Sequence, residues 1–394
     1  MKARTLDILT CICESPPSET STIIFKTLIS ADSKILRVFC KDERFNNNIY
    51  SMIIDNSLSE SILIRLLRII AQFFFKSVRF LPTNYKIIDA LVQNAEKPVF
   101  LNLLDSLISA EKTNTDSLIY LHKENLHKKI YQALGELVNF PSDSNHPFLF
   151  GPIDSKRYSF YQLITKMARS STLGQIYRHE KFLDVIFRQP ESLPDYIKNY
   201  KWFAICSTYK PSMIQNSIPI IEKSIEIIRS IYLSDRFHSF FAYAFSFFNQ
   251  NLAAFPQLVL NRIENPELFF EQIMKGVLKF PNCTNMHYHF RKFYEIMINF
   301  KGFSIFLVSN YVPIFIKISS VQKNRILAAS FNELLIKTID MAKLKSYLKE
   351  ELRKIPEFPV YATTKLREYK NTVSDNYGEE PPNKIYQFIA RFFQ

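Results

Sequence analysis

Apolar residues recur along this chain at separations of three and four, the period of one face of an α-helix, and few stretches alternate with the period of two that marks a strand. From Ser59 to Lys76, Ile62, Leu66, Ile69, Ile70 and Phe73 share one face while Arg65, Arg68, Gln72 and Lys76 leave it. From Ser212 to Leu233, Ile214, Ile218, Ile221, Ile225 and Ile228 form the stripe, Glu222, Lys223, Glu226 and Arg229 lie opposite, and Pro211 suits the first turn. Each pattern predicts a helix with one packed and one wetted side.

The stripes are punctuated at short intervals by Pro16-Pro17, Asn46-Asn47-Asn48, Pro82, Pro98, Pro141 to Pro152, Pro190, Pro194, Pro211, Pro256, Pro266, Pro281, Pro313, Pro356, Pro359 and Pro381-Pro382. Between these breaks the pattern predicts about twenty helices of roughly 10 to 20 residues, a size that suits helix pairs of about 40 residues stacked in an array. The expectation is an all-α, HEAT/armadillo-like α-solenoid running right-handed as one continuous helical-repeat domain over residues 1–394. No repeated consensus accompanies it. Polar loops are expected near 139–157 and 370–384, and a β-sheet is not expected.

Composition sharpens this reading. The chain has 394 residues, 47% of them hydrophobic and 22% charged, which is ordinary for a globular protein. It carries only 6 Gly, against roughly 28 at the average usage of about 7%. Phosphate-cradling loops and tight hairpin turns rely on glycine, so nucleotide-binding α/β folds and all-β folds are disfavoured. The five cysteines, Cys11, Cys13, Cys40, Cys206 and Cys283, are odd in number and scattered, which argues against a disulfide framework and for a reducing, cytoplasmic or nuclear compartment. Residues 1–14 lack the features of a signal peptide, and the sequon Asn282-Cys283-Thr284 then carries no weight. Two apolar stretches, Ser239 to Asn261 and Phe303 to Ile316, are interrupted or too short for a membrane span, and both are expected to be buried helices.

Lys and Arg total 50 against 37 Asp and Glu, a net charge of +13. The basic residues are interleaved with acidic ones, and the bias toward Lys, Asn, Ile, Phe and Tyr is what AT-rich coding produces. The best nucleic-acid candidate is Lys337, Lys343, Lys345, Lys349, Arg353, Lys354, Lys365 and Arg367, diluted by Asp340, Glu350, Glu351 and Glu357, with Tyr347 and Tyr361 as stacking partners. Nucleic acid is not the expected partner.

No catalytic motif assembles. The serine elbow, the phosphate loop and the kinase catalytic loop are missing, and Glu350-Glu351 and Glu379-Glu380 read as solvated acids. His122 and His127 stand five apart, which on one continuous helix points them apart, and Cys283, His287 and His289 cannot close a tetrahedral metal site by themselves. The sequence therefore predicts no catalytic, cofactor-binding or metal-binding residue, and a protein that is not an enzyme.

One stretch carries a family resemblance. In Ile273-Met-Lys-Gly-Val-Leu-Lys-Phe-Pro-Asn-Cys-Thr-Asn-Met-His-Tyr-His289, an aromatic-proline pair, an asparagine and a hydrophobic-histidine pair follow an apolar helix, at Phe280, Pro281, Asn282, Met286 and His287. This resembles the SAPS-domain family, helical-repeat regulatory subunits of protein phosphatase six type enzymes. A second stretch, Leu101 to Leu134, is similar to that family's leucine-rich helix, acidic turn and apolar helix, and residues 73–90 correspond to the helix pair before it. The family's Trp-containing acidic segment has no match before Leu6, and its later Gly-His signature has none around Ile326 to Phe331. The Smek-like regulatory subunits of phosphatase four share the same flavour. The resemblance implies a non-catalytic scaffold that binds a Ser/Thr protein phosphatase catalytic subunit and is otherwise monomeric; a basic helical-repeat adaptor for nucleic acid or transport cargo is the alternative. Within the signature, Phe280 is expected to be buried, Pro281 to sit at or just before a helix start, and His287 to donate to a neighbouring helix.

Overall fold

The computed structural model describes residues 2–14, 16–54, 58–83, 85–109, 115–144, 150–321 and 324–377. It is all-helical, 80% helix, with no strand among the described residues. They group into two compact units, Met1–Asn216 and Ser217–Gln394.

In the first unit, alternate helices along the sequence pack on one another. Helix Glu43–Ile54 packs on Lys86–Gln93, that on Leu126–Leu137, and that on Glu180–Phe187. The helices between them form a second row, Glu60–Ser77 on Pro98–Ser109, then Pro152–Arg169, then Asp195–Thr208. The second unit repeats the scheme. Ser239–Ala254 packs on Thr284–Met297, then Arg325–Leu344, then Lys365–Tyr377. In its other row Ile218–Ser230 packs on Pro266–Lys279, Phe270 of that helix meets Phe303, Phe306 and Tyr311 of Lys301–Val321, and that helix packs on Phe358–Thr363.

Several side chains that bond between helices lie close to one helix pair apart in sequence, while others span from 29 to 63 residues. Tyr85 Oη and Asn46 Oδ1 are 39 residues apart, Ser117 Oγ and the Phe74 carbonyl 43, Arg291 and Glu333 42, Tyr294 and Thr338 44. Those separations are close to the length of one helix pair.

The stripes behave as their periodicity dictates. Ile62, Leu66, Ile69, Ile70 and Phe73 are all buried in Glu60–Ser77, whose first turn follows Ser59. The core of the second unit is phenylalanine-rich: Phe248, Phe269 and Phe293 meet edge to face or tilted, and Phe315 stacks on Phe331 at 4.6 Å. Such pairs add about 0.5–1.5 kcal/mol each beyond their buried area.

Several predicted boundaries are corrected. Asn46-Asn47-Asn48 lies inside Glu43–Ile54; Asn46 Nδ2 donates to the carbonyls of Phe39, Cys40 and Asp42, satisfying the frayed end of helix Ser33–Cys40. Pro313 lies inside Lys301–Val321, where burial of Leu307, Val308, Val312, Phe315 and Ile316 outweighs the roughly 3 kcal/mol cost of an interior proline. The Ile214 to Ile228 stripe is divided, because Pro211–Ser217 winds as a 3₁₀ turn and the α-helix proper is Ile218–Ser230, with Pro219 in its first turn. The loop expected at 139–157 stops at Gly151, since Pro152 opens Pro152–Arg169. Of the loop expected at 370–384, residues 370–377 are helical in Lys365–Tyr377 and 378–384 lie outside the described residues.

Lys301–Val321, with a mean hydropathy of 1.5, is the one helix among the described residues long and apolar enough to cross a membrane, and 44% of that window is buried against the rest of the protein. The other suspected stretch is cut at Pro256 into Ser239–Ala254 and Pro256–Leu260.

Candidate functional site

The Phe280 to His289 stretch is a corner between two helices. Asn265 caps Pro266–Lys279 through the Leu268 amide at 2.9 Å, with Pro266 in the first position. The helix ends where the Phe280 amide donates to the Gly276 carbonyl, and the Cys283 amide then donates to the Phe280 carbonyl at 3.0 Å, closing a turn with Pro281 and Asn282 at its two central positions. Proline with its fixed φ suits the first of these. Gly276 permits a close approach: a Cβ there would meet Ile231 at 3.1 Å and Met286 at 3.2 Å. Met286 is fully buried and packs over this glycine from Thr284–Met297.

Three expectations for this corner are corrected. Phe280 is half-buried, its ring edge-on to Phe237 at 6.0 Å, because it follows the last turn of Pro266–Lys279. Pro281 belongs to the turn, and Cys283 is the residue that precedes the helix. His287 is buried but bonds its own corner: Nε2 lies 3.0 Å from the Pro281 carbonyl. A carbonyl only accepts, so Nε2 carries the proton, and Nδ1 is buried without a partner. Burial lowers the His287 pKa, against the opposing pull of the Pro281 and Phe280 carbonyls. The neighbouring layer is reached by Asn282 instead, whose Oδ1 accepts from Asn324 Nδ2 at 2.7 Å. Asn324 in turn caps Arg325–Leu344.

The other candidates resolve as follows. His122 and His127 are brought together, with ring centroids 5.0 Å apart, because the helix breaks between them at Asn125, which adopts the left-handed conformation at φ 57°. Burial lowers the His127 pKa, aided by His122 and Lys128. His289 stacks on Phe245, and burial lowers its pKa to about 4. No group of three or more His, Cys, Asp or Glu is placed to hold a metal among the described residues. In the basic run, Lys343, Lys354 and Lys365 pair with Asp340, Glu351 and Glu368, and Lys345 donates to the Asn299 carbonyl. Tyr361 is buried and donates to Asn332 at 2.6 Å, so it cannot stack on a base. No protein-family model matches this chain, and no curated protein does. The SAPS resemblance rests on the residues of this corner and of the Leu101 to Leu134 stretch.

Two constellations were not singled out from the sequence. Asp154 and Arg157 are wholly buried in Pro152–Arg169 and pair at 2.6 Å. Arg157 also donates to the Leu137, Phe140 and Pro141 carbonyls and to Gln189, while Asp154 accepts from Ser142 and Ser144. The guanidinium thus takes over the open carbonyls at the end of Leu126–Leu137. The second is a half-exposed aromatic patch in which Tyr158, Tyr196 and Tyr200 pack ring to ring with Phe150, their hydroxyls in contact. The only hint of either was polar density around 139–157 and the DYIKNY pattern at 195–200.

Proposed function

We propose that this chain is a non-catalytic helical-repeat scaffold of the HEAT/armadillo kind that holds a protein partner. The observation that carries this reading is the recurrent separation of about one helix pair between residues bonded from layer to layer, from 39 residues at Tyr85 and Asn46 to 44 at Tyr294 and Thr338. Stacked helix pairs of this kind present extended surfaces, and their usual use is protein binding. The buried Asp154 and Arg157 bond to backbone ends and to each other, which suits a structural role.

The class of partner comes from the resemblance of Phe280, Pro281, Asn282, Met286 and His287 to SAPS-domain regulatory subunits: the catalytic subunit of a Ser/Thr protein phosphatase. Three of those residues, Pro281, Met286 and His287, serve the corner itself. Asn282 is exposed and Phe280 half-buried, so in this reading they are the two of the five that a partner would touch.

The test is binding of the purified chain to purified phosphatase catalytic subunits, with phosphopeptide hydrolysis followed in the complex. A saturable complex whose activity or selectivity changes supports the proposal. Turnover by the chain alone, or nuclease-sensitive binding with a steep salt dependence, overturns it.

A further inference from the structure

The four helices of the second row in the first unit, Glu60–Ser77, Pro98–Ser109, Pro152–Arg169 and Asp195–Thr208, carry one acidic residue each. Glu60, Asp154 and Asp195 sit in first turns, and Asp154 is wholly buried. The fourth, Asp105, lies farther along its helix and is neutralised by an ion pair with Lys166 of Pro152–Arg169. Arg68 and Arg169 are exposed, and neither makes an ion pair among the described residues. The other row mixes both signs on its exposed faces, with Glu43 beside Arg44 and Glu180 beside Lys181.

Arg68 lines a groove of about 350 Å³ between Glu60–Ser77 and Pro98–Ser109. Leu67, Ala71, Leu103 and the exposed Phe75 make the groove apolar, Asn102 and Ser106 are its polar residues, and Arg68 alone is charged among the described residues that line it. From Ser106 the face continues through the neighbouring Asp105 to Lys166 and, one turn on, to Arg169, whose guanidinium lies 4.4 Å over the ring of Phe203. We propose that this face binds an acidic peptide segment of a protein partner, with an apolar side chain in the groove, a carboxylate on Arg68 and a second carboxylate on Arg169.

The charge of the face and the lining of the groove select this occupant. A guanidinium without a partner matches a carboxylate in a two-bond fork. A phosphate backbone would also meet the arginines, but it would leave the apolar groove uncovered, whereas a peptide supplies a side chain to fill it. Arg68 and Arg169 are two helix steps apart, and at about 9 Å per step they stand roughly 18 Å or more from each other. At about 3.3 Å per extended residue, the two acids of the peptide are then at least about five residues apart. The inference rests on the reading of the chain as a scaffold for a protein partner, and it leaves the class of that partner open.

The test is selection on the full chain from a phage-displayed library of random peptides of about twelve residues, long enough to reach both arginines. The selected peptides are expected to carry an aromatic or aliphatic residue next to an acid, and a second acid at least about five residues away. Made as free fluorescent peptides, they should bind less tightly as salt rises. Arg68→Glu and Arg169→Glu, both at exposed positions and checked for an unchanged fold by circular dichroism, should each weaken binding at least tenfold. Lys181→Glu makes the same charge change in the other row and should leave binding within about twofold. A selection that enriches no peptide or shows no acidic bias, or binding that Lys181→Glu weakens as much as Arg68→Glu does, overturns the proposal. An oligothymidine bound more tightly than every selected peptide, and lost in the same two arginine variants, overturns it in favour of nucleic acid. A phosphatase complex unaffected by both arginine variants, with no acidic peptide selected, overturns this inference alone and leaves the scaffold reading standing.

Discussion

The stretch around residues 139–157 and the corner at 280–289 reverse their expected places. The first is polar in sequence and reads as surface, yet it closes over Asp154 and Arg157, both fully buried. The second is led by an aromatic-proline pair and reads as interior, yet Phe280 is only half-buried and Asn282 is exposed. The difference lies in what each segment has to satisfy. Residues after Leu137 must terminate a helix whose end is covered by the rest of the unit, and its carbonyls need donors that water does not supply there. The 280–289 corner satisfies its own backbone with the Cys283 to Phe280 turn and the His287 bond, so its leading side chains are left to the rim.

That contrast can be broken by substitution, and the largest effect should fall on the buried pair. Arg157→Leu strands the Asp154 carboxylate and opens the carbonyls of Leu137 and Phe140, and it should cost about 3–5 kcal/mol in urea unfolding. The double variant Asp154→Leu with Arg157→Leu removes the stranded charge and should be less damaging than Arg157→Leu alone. A loss below about 1 kcal/mol for Arg157→Leu would show that water reaches this site and that the contrast is only apparent.

The corner variants should be milder. His287→Ala leaves the part-buried Pro281 carbonyl without its donor and should cost about 1–3 kcal/mol. Phe280→Ala, in a fully buried site, would cost about 3–5 kcal/mol; at its half-buried position the loss should stay below about 2 kcal/mol, in line with partial burial of its area. If Phe280→Ala proves as costly as Arg157→Leu, the corner is as interior as its sequence suggested and the comparison fails.

The corner should also show a pH dependence. The pKa values of His287 and His289 are both lowered by burial, that of His289 to about 4. Below the ordinary imidazole value near 6.5 the unfolded chain takes up protons that the folded chain refuses, so these residues contribute stability above about pH 6.5 that is lost as pH falls toward 4. His289→Gln should flatten melting temperature against pH across that window, and an unchanged slope would assign the acid sensitivity elsewhere.

What was legible in the sequence follows from local physics. A 3.6-residue stripe can bury its apolar face only as a helix, so the all-α class and the buried faces of Glu60–Ser77 follow from residue order alone. The breaks read at Pro98, Pro256 and Pro266 fall at helix starts, because the first turn has no use for their missing amides, whereas Pro152 opens a helix inside the stretch read as a loop. The same reading misplaced Pro313 and Asn46, since burial of the surrounding side chains and the carbonyls of a neighbouring helix overruled the local preference. Only the tertiary structure could bring His122 against His127 across the left-handed Asn125, fold Asp154 and Arg157 inward, and aim His287 back at Pro281. The spacing of several layer-to-layer bonds matches the helix pairs of about 40 residues that the breaks predict. It is set by the length of a helix pair, which many different sequences can fill, and so it leaves no consensus in the residues themselves.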